Sequence, residues 1–427
     1  MKPGWCSLLV AVLLVLLSVR ASSPSPAEFP LAVTHTLSYT VTVHWRGSFY
    51  PDRTTIRVEI HDIPVPTDRQ TVSYSPQDGR IENIDGRPVW VIQKYMREVP
   101  YTEITFSAIF TVTVDLRGVP PIPHVPVEPP AGMTEYLAPD EHVTLSPPVR
   151  ELAASLASQT ENDLPAVISK FVEWIQRNVV YSKEVGEGVR LKDYEVLQAG
   201  AGVCDEFATL FIGLCRSVGI PARYVQGYSA ENENLGRSLE TGHAWAEIWA
   251  GEWIPVDPTW VDLGSPKKFA TGGSGIQWRY SGAPPGSGIT GVEYKVTPIG
   301  WRAGTSLERP VLLGGEKTEN GWRFTVSNVS PVPVMDNLTV RRYVGEHLET
   351  LPGWPRIVIL NPGENVTFDV EGLDSGWVFS RLGGVLDLWE PWVPSVPLPS
   401  WEQMFWISVA VVVILVAAAV LSAIRRR

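Results

Sequence analysis

From Phe405 to Ile424 the chain runs for twenty residues without a charge, rich in Val, Ala, Leu and Ile, and then closes on Arg425, Arg426 and Arg427. Twenty apolar residues at helical rise match the hydrocarbon core of a bilayer, and three arginines belong on its cytoplasmic side. The pattern predicts a transmembrane helix over 405–424 and a cytoplasmic basic tail over 425–427. The protein is therefore expected at the cell membrane as a single-pass chain, its body outside the cytoplasm. The first residues point the same way. Lys2 precedes an apolar run from Leu8 to Leu17, and SVRASS follows, with Val19 and Ala21 where signal peptidase reads small residues. That run is too short to span comfortably and reads as a secretory signal over 1–23, the alternative being an uncleaved N-terminal anchor.

The formal net charge is −11, and more negative still once the basic residues of the two terminal segments are set aside. With few basic clusters, a chain of that sign argues against nucleic acid as a partner. Sequons at Asn328, Asn337 and Asn365 fit an externally displayed region. The span between the terminal segments is too long for one core and predicts two or three domains.

From Thr34 to Val119 polar and apolar residues alternate, as in THTLSYTVTVHW and TEITFSAIFTVTVDL, with turn signals such as PQDG between the runs. A period of two predicts strands, here an N-terminal β-sandwich over 24–118. VPPIPHVPVEPPAG then reads as a stiff, extended linker over 119–134. Residues 135–282 change character. SPPVRELAASLAS and ENDLPAVISKFVEWIQRNVVY have helical spacing, with Val167, Phe171, Trp174 and Ile175 on one face, and PARYVQGYS, HAWAEIW and EWIPVDPTW follow as strands. Helices before strands predict an α+β domain. After the Gly/Ser-rich SGAPPGSGITG, β patterning returns and predicts a second sandwich over 290–386. A Pro/Trp-rich stalk over 387–404 leads to the membrane.

Of three cysteines, Cys204 and Cys215 lie outside the leader, both in GVCDEFATLFIGLCRSVGIPAR. Phe207, Leu210, Phe211, Leu214 and Val218 form one helical stripe. Asp205 and Glu206 suit a first turn, and Gly219 followed by Pro221 suits a helix end. Cys204 is thus placed at a helix N-terminus. Eleven residues of helix set the sulfurs roughly 16 Å apart along the axis, whereas a disulfide needs Cα atoms within about 7 Å. The two therefore do not pair, and Cys215 reads as a small buried hydrophobe. A helix tip favours a thiolate, but Asp205 and Glu206 oppose one, so Cys204 needs a cationic partner.

GHAWAEIWAGEWIPVDPTW supplies that partner. His243, Trp245, Glu247 and Trp249 share one strand face. If Trp249–Gly251 forms the turn, residues whose numbers sum to 500 pair across the hairpin, and His243 falls opposite Asp257 on the same side. An imidazole held by a carboxylate beside a thiol is the logic of a Cys-His-Asp triad. Trp245, Trp249, Trp253 and Trp260 read mainly as packing, with one or two walling the cleft against water.

GVCDEFATLFIGLCRSVGIPARYVQGY, GHAWAEIW and WIPVDPTW, in that order, resemble the core of the transglutaminase-like superfamily, which includes papain-like relatives. The match is close over about 190–260 and looser back to about 150. The resemblance implies a papain-like α+β core with Cys204 as nucleophile, His243 as general base and acid, and Asp257 as the orienting carboxylate. An oxyanion hole would use the Cys204 backbone N–H and a donor from upstream. Gln198 is the candidate for that donor, with Tyr181 and Tyr194 as rivals. No metal and no cofactor are expected.

The expectation is thus a multidomain protein, an α+β papain-like core between two β-sandwiches with a C-terminal transmembrane helix. It would act on amide or peptide bonds of a protein or peptide substrate through a thioester, by hydrolysis or by transfer to an amine. The alternative is a non-catalytic cell-surface binding or scaffold protein that keeps the fold.

Overall fold

The computed structural model describes residues 29–381 and 388–390, apart from 51–52, 97–101, 187–188, 274, 308–309, 345–346 and 374–375. The expected signal over 1–23, the transmembrane helix and the basic tail lie outside the described residues, as does most of the expected stalk. Among the described residues no helix is long and apolar enough to cross a membrane.

The first strands are β1 (Phe29–Pro30), β2 (Ala32–Arg46), β3 (Thr55–Ile60), β4 (Gln70–Pro76), β5 (Arg80–Ile84), β6 (Arg87–Tyr95) and β7 (Glu103–Asp115). Burial alternates along β2, with Leu37, Tyr39, Val41, Val43 and Trp45 inward, as its period-two sequence requires. These strands build two four-stranded sheets. Trp90 of one meets Phe110 of the other edge-on at 6.1 Å.

Each sheet is completed by a strand from far along the chain. β14 (Ile276–Ser281) pairs with β3, and β15 (Gly288–Ala303) runs antiparallel to nearly all of β2. The boundaries expected at 282 and 290 are therefore displaced. SGAPPGSGITG joins two strands of the first β unit rather than two domains, and the helical segment is an insertion between β7 and β14. Glycine and proline mark a chain reversal equally well in a hairpin-like loop and in a linker, so local composition could not separate the two.

Among the described residues the inserted segment contains five α-helices. They are α1 (Pro147–Ala157), α2 (Leu164–Asn178), α3 (Lys183–Gly186), α4 (Asp193–Ala199) and α5 (Cys204–Ser217). A short parallel pair, β8 (Val180–Tyr181) and β9 (Ala201–Gly202), precedes α5. Next come β10 (Ala222–Ser229), β11 (His243–Trp249), β12 (Trp253–Val256) and β13 (Lys268–Ala270), ordered β12-β11-β10-β13 in one antiparallel sheet. α5 lies between that sheet and α1, α2 and α4. It is buried on almost every side, Thr209, Ile212 and Gly213 included, so the single apolar stripe expected of it is too narrow. Gly213 explains one contact: a Cβ there would sit 2.8 Å from Asp193 Oδ2, so the close approach of α4 requires glycine.

After β16 (Ser306–Leu307), strands β17 (Val311–Thr318), β18 (Gly321–Asn328), β19 (Val334–Val344), β20 (His347–Thr350), β21 (Arg356–Leu360), β22 (Asn365–Glu371) and β23 (Trp377–Arg381) form a second unit. Its separate core is centred on Phe324, Trp377 and Phe379. β24 (Leu388–Glu390) pairs with β23, so the first residues assigned to the stalk belong to this unit. Asn328 and Asn337 are buried and only Asn365 is exposed, so two of the three sequons are sealed in the fold. The Pro-rich segment is not a free spacer either. Ile122 is buried and exchanges two hydrogen bonds with the Asn361 side chain, at 2.7 and 2.9 Å. His124 bridges Asp163, which caps α2, and Glu364 of the second unit.

Candidate active site

The tip of α5 is built by its own first residues. Glu206 is fully buried and turns back to accept the Val203 N–H at 2.9 Å and the Leu191 N–H at 3.0 Å. Its charge serves the helix start and does not face the thiol. Gly202 makes room for it, since a Cβ there would lie 2.3 Å from the Glu206 Cβ. Asp205 points elsewhere. Its Oδ1 accepts the Tyr224 hydroxyl at 2.9 Å and lies 3.9 Å from the Cys204 sulfur.

The Cys204 thiol is nearly buried, and burial together with the Asp205 charge pushes it up to about 11. The backbone N–H of Ala244 faces the sulfur and works the other way, as does that of Asp205, while the charge of Asp257 adds to the rise. Of the two helix-tip acids expected to oppose the thiolate, Asp205 does so. A thiol so placed is almost wholly protonated near neutrality, so reactivity requires a base at hand.

Ala244 directly follows His243, so the strand that aims its N–H at Cys204 also delivers the imidazole. His243 Nε2 lies 2.7 Å from Asp257 Oδ2. A carboxylate oxygen can only accept, so Nε2 carries the proton and Nδ1 is the acceptor. The hairpin reaches this pairing by another register than expected. Trp249 pairs with Trp253 and Ala246 with Val256, so each partner of β11 lies two residues further along. The turn spans Ala250–Glu252, with Gly251 at φ +95° and the Ala250 N–H donating to the Glu252 carbonyl. A shift of two keeps every side chain on its face, so His243 and Asp257 still meet, diagonally rather than directly opposite.

The Asp257 carboxylate is saturated. Oδ1 accepts the N–H groups of Thr259 and Trp260, at 2.9 and 3.1 Å. Oδ2 accepts, besides His243, the Lys268 ammonium at 2.6 Å. Burial resists ionisation here, but the Lys268 charge and the bonds from His243 and Lys268 outweigh it and hold the carboxyl well below the usual range. From α2, Gln176 fastens the loop by donating to the Pro258 and Thr259 carbonyls.

Of the four tryptophans, Trp260 lies flat on the His243 ring, with centroids 3.8 Å apart and planes 8° from parallel, and it is 50% exposed. It walls the imidazole. Trp249 and Trp253 pack edge-on, away from the triad residues.

Gln198 is exposed on the last turn of α4, and among the described residues no hydrogen bond joins it to Cys204, His243 or Asp257. Tyr194 bonds Glu195 at 3.1 Å. Tyr181 pairs with Gly202, two residues before the nucleophile candidate, and its hydroxyl is pushed up by burial and by the charges of Cys204, Asp205 and Glu206. The parallel β8–β9 pair therefore brings Tyr181 to the helix tip. Lys268 and Asp262, both joined to Asp257, were not among the expected residues. KKFA carries no local signal that one of its lysines is buried. Among the described residues no group of His, Cys, Asp or Glu is arranged to hold a metal ion.

Residues 150–258 match the family model of the transglutaminase-like superfamily. An uncharacterized protein of Mycobacterium tuberculosis is 33% identical over 178 residues, 38% of this chain and 54% of the relative. The chain thus spans about half the length of such relatives. The kyphoscoliosis peptidase of Mus musculus is 30% identical over 125 residues, 28% of this chain and 19% of the peptidase. Among solved structures, the periplasmic domain of TgpA from Pseudomonas aeruginosa aligns at a TM-score of 0.31 and 15% identity, covering 55% of this chain and 89% of that domain. The matched span contains Cys204, His243 and Asp257, and over residues 150–258 the chain carries a transglutaminase-like domain.

Proposed function

We propose that the chain is a cysteine enzyme acting on carboxamide or peptide bonds of proteins, with Cys204 as nucleophile, His243 as base and acid, and Asp257 as the orienting carboxylate. The observation that carries this is the junction of three elements. The tip of α5 bears the thiol, the start of β11 brings the Ala244 N–H to its sulfur, and His243 beside it is bonded to Asp257 at 2.7 Å.

In the first half-reaction His243 Nδ1 takes the thiol proton as sulfur attacks the carbonyl carbon. The C–N bond breaks, and the same proton leaves with the amine or ammonia, giving a thioester. In the second, water or an amine attacks the thioester while Nδ1 accepts its proton, and that proton returns to the sulfur as the C–S bond breaks. Water yields a carboxylic acid, and a lysine amine yields a cross-link. The Cys204 N–H at the helix start and a donor from Tyr181 would serve the oxyanion. The proposal keeps the outward, membrane-tethered placement argued from the terminal segments. Its substrates are then extracytoplasmic proteins or peptides, and neither metal nor nucleic acid takes part.

The test is incubation of the protein with a peptide library, with and without an amine donor, read by mass spectrometry. Cleavage, deamidation and amine incorporation give different mass changes. No change with any peptide, and none that Cys204→Ala abolishes, would reject the reading.

One observation favours a second reading, a binding or scaffold protein with an inert triad. The unassisted thiol is pushed up to about 11, and Trp260 covers a face of the His243 ring. A thiol-directed probe separates the two. Labelling concentrated on Cys204 supports the enzyme, and equal, slow labelling of Cys204 and Cys215 supports the scaffold.

A further inference from the structure

His243 needs from Asp257 one fixed acceptor and one negative charge. The fold supplies the acceptor but also places a cation on it, for Lys268 Nζ is 2.6 Å from the very oxygen that His243 uses. Lys268 is only 4% exposed and Asp257 is fully buried. An ammonium at that distance cancels much of the charge that a neighbouring imidazolium would feel.

Asp262 resolves the conflict. Both its oxygens accept from the same ammonium, at 2.7 and 2.9 Å, and Oδ1 also accepts the Gly264 N–H at 2.8 Å. The backbones of Asp257 and Asp262 are joined through the Asp257 N–H and the Asp262 carbonyl at 2.9 Å. Burial pushes the Asp262 carboxyl up, against the pull of the Lys268 charge and hydrogen bonds; with both carboxylates ionised, two negative charges and one ammonium leave a single net negative charge, which an imidazolium on His243 balances. Both aspartates outweigh the burial of Lys268 and keep it protonated.

Other ionisable groups lie near this cluster among the described residues. Cys204 faces it from α5, where its thiol feels the Asp257 charge. His35 of β2 holds the Pro266 carbonyl through Nε2 at 2.9 Å. Lys267 is paired with Glu231 at 3.1 Å. The rings of Trp245 and Trp260 cover the ammonium, at 5.8 and 5.4 Å.

We propose that Lys268 and Asp262 are a pair of positioning residues, a charge-neutral clamp that fixes the Asp257 carboxylate under His243 without cancelling the charge its imidazolium requires. The clamp rests on the Cys-His chemistry proposed above.

The test is the pH dependence of Cys204 alkylation by iodoacetamide in the full-length protein, read at the Cys204 peptide by mass spectrometry, with thermal melts as the folding control. In Asp262→Asn the Lys268 charge falls on Asp257 unopposed. The rate near pH 7 should drop about tenfold, and the thiol's titration should move up by about one pH unit. Lys268→Met with Asp262→Asn removes both partners, restores the net charge and should recover most of that rate. Asp262→Glu keeps the charge and should stay near wild type. A wild-type rate in Asp262→Asn overturns the clamp, as does a folded double variant no faster than Asp262→Asn. If the double variant does not fold, equal losses in Asp262→Asn and Asp262→Glu overturn it. His243→Ala separates the two levels. If it slows alkylation while Asp262→Asn does not, only the clamp fails; if it too leaves the rate unchanged, the proposed chemistry fails.

Discussion

Cys204 and Cys215 stand eleven residues apart on α5, and both are free and buried. At the C-terminal end Cys215 is fully enclosed by the core. Its thiol is pushed far up by burial, with only a weak counter-pull from Arg216. Arg216 itself is turned toward the carbonyls of Ala222 and Ala138 and the carboxylate of Asp140. At the N-terminal end Cys204 is pushed up less, to about 11, because it is less fully buried and two backbone N–H groups offset part of the rise, and the strand beside it carries an imidazole. The helix is common to both. What differs is which groups the rest of the fold brings to each end, so a helix terminus is a place for chemistry and not by itself a cause of it.

The sharpest way to break that comparison is to delete each thiol. Cys204→Ala should abolish turnover completely. Cys215→Ala should retain it and lose only about 1–2 kcal/mol of stability in denaturant titrations, the ordinary result of emptying a small core site. A folded but inactive Cys215→Ala would mean that the two ends are not chemically distinct.

Next in size is the loss of the base. His243→Ala should slow Cys204 alkylation at neutral pH by about 10²-fold or more. Its rate should then climb as pH rises toward about 11, because the raised thiol ionises only there. Cys215 should be indifferent. A neutral plateau surviving in His243→Ala would place the activating group elsewhere.

A glycine at each end probes the geometry. Gly202→Ala drives a Cβ into Glu206, so it should both slow Cys204 alkylation and lower the melting temperature. Gly219, at φ +83° past the other end, has open space for a Cβ. Gly219→Ala should cost about 1 kcal/mol from backbone strain and leave the thiol's rate unchanged. Equal effects on reactivity would show that the tip is not specifically built.

The smallest effect is expected at Trp260. Losing a stacked ring is worth about 0.5–1.5 kcal/mol, so Trp260→Ala should lower the alkylation rate a few-fold and Trp260→Phe less. No change in either would make the indole a bystander.

Much of the site was legible because its signals are local. The start of α5 at Cys204, its end before Gly219 and the common face of His243 and Asp257 all follow from spacing and caps within a few turns of chain. The hairpin register was not legible, since Gly251 could end a Trp249–Gly251 loop or centre an Ala250–Glu252 loop, and strand alternation is identical in both. Parity survived the error, and with it the His243–Asp257 pair. Gln198 and Tyr181 show the opposite case. Counting back from Cys204 favours Gln198, but β8 and β9 pair in parallel and carry Tyr181 to the tip, a contact between strands that no spacing rule contains. The Asn328 and Asn337 sequons were misleading for a similar reason, because burial is a property of the assembled sheet and not of the tripeptide.

The sequence by itself determined β2, β3 and β7 of the first β unit, α1, α2 and α5 of the inserted segment and the three residues of the proposed triad, because helical and strand periodicities are written within ten to twenty residues. Only the tertiary structure decided that β14 and β15 return to complete sheets begun at β2 and β3. Only it revealed that Lys268 is buried between Asp257 and Asp262. Strand pairing across more than two hundred residues depends on which edges are left open when everything else has folded. A charged lysine is buried without great cost only where carboxylates already wait for it. Neither condition exists in a stretch of sequence read alone.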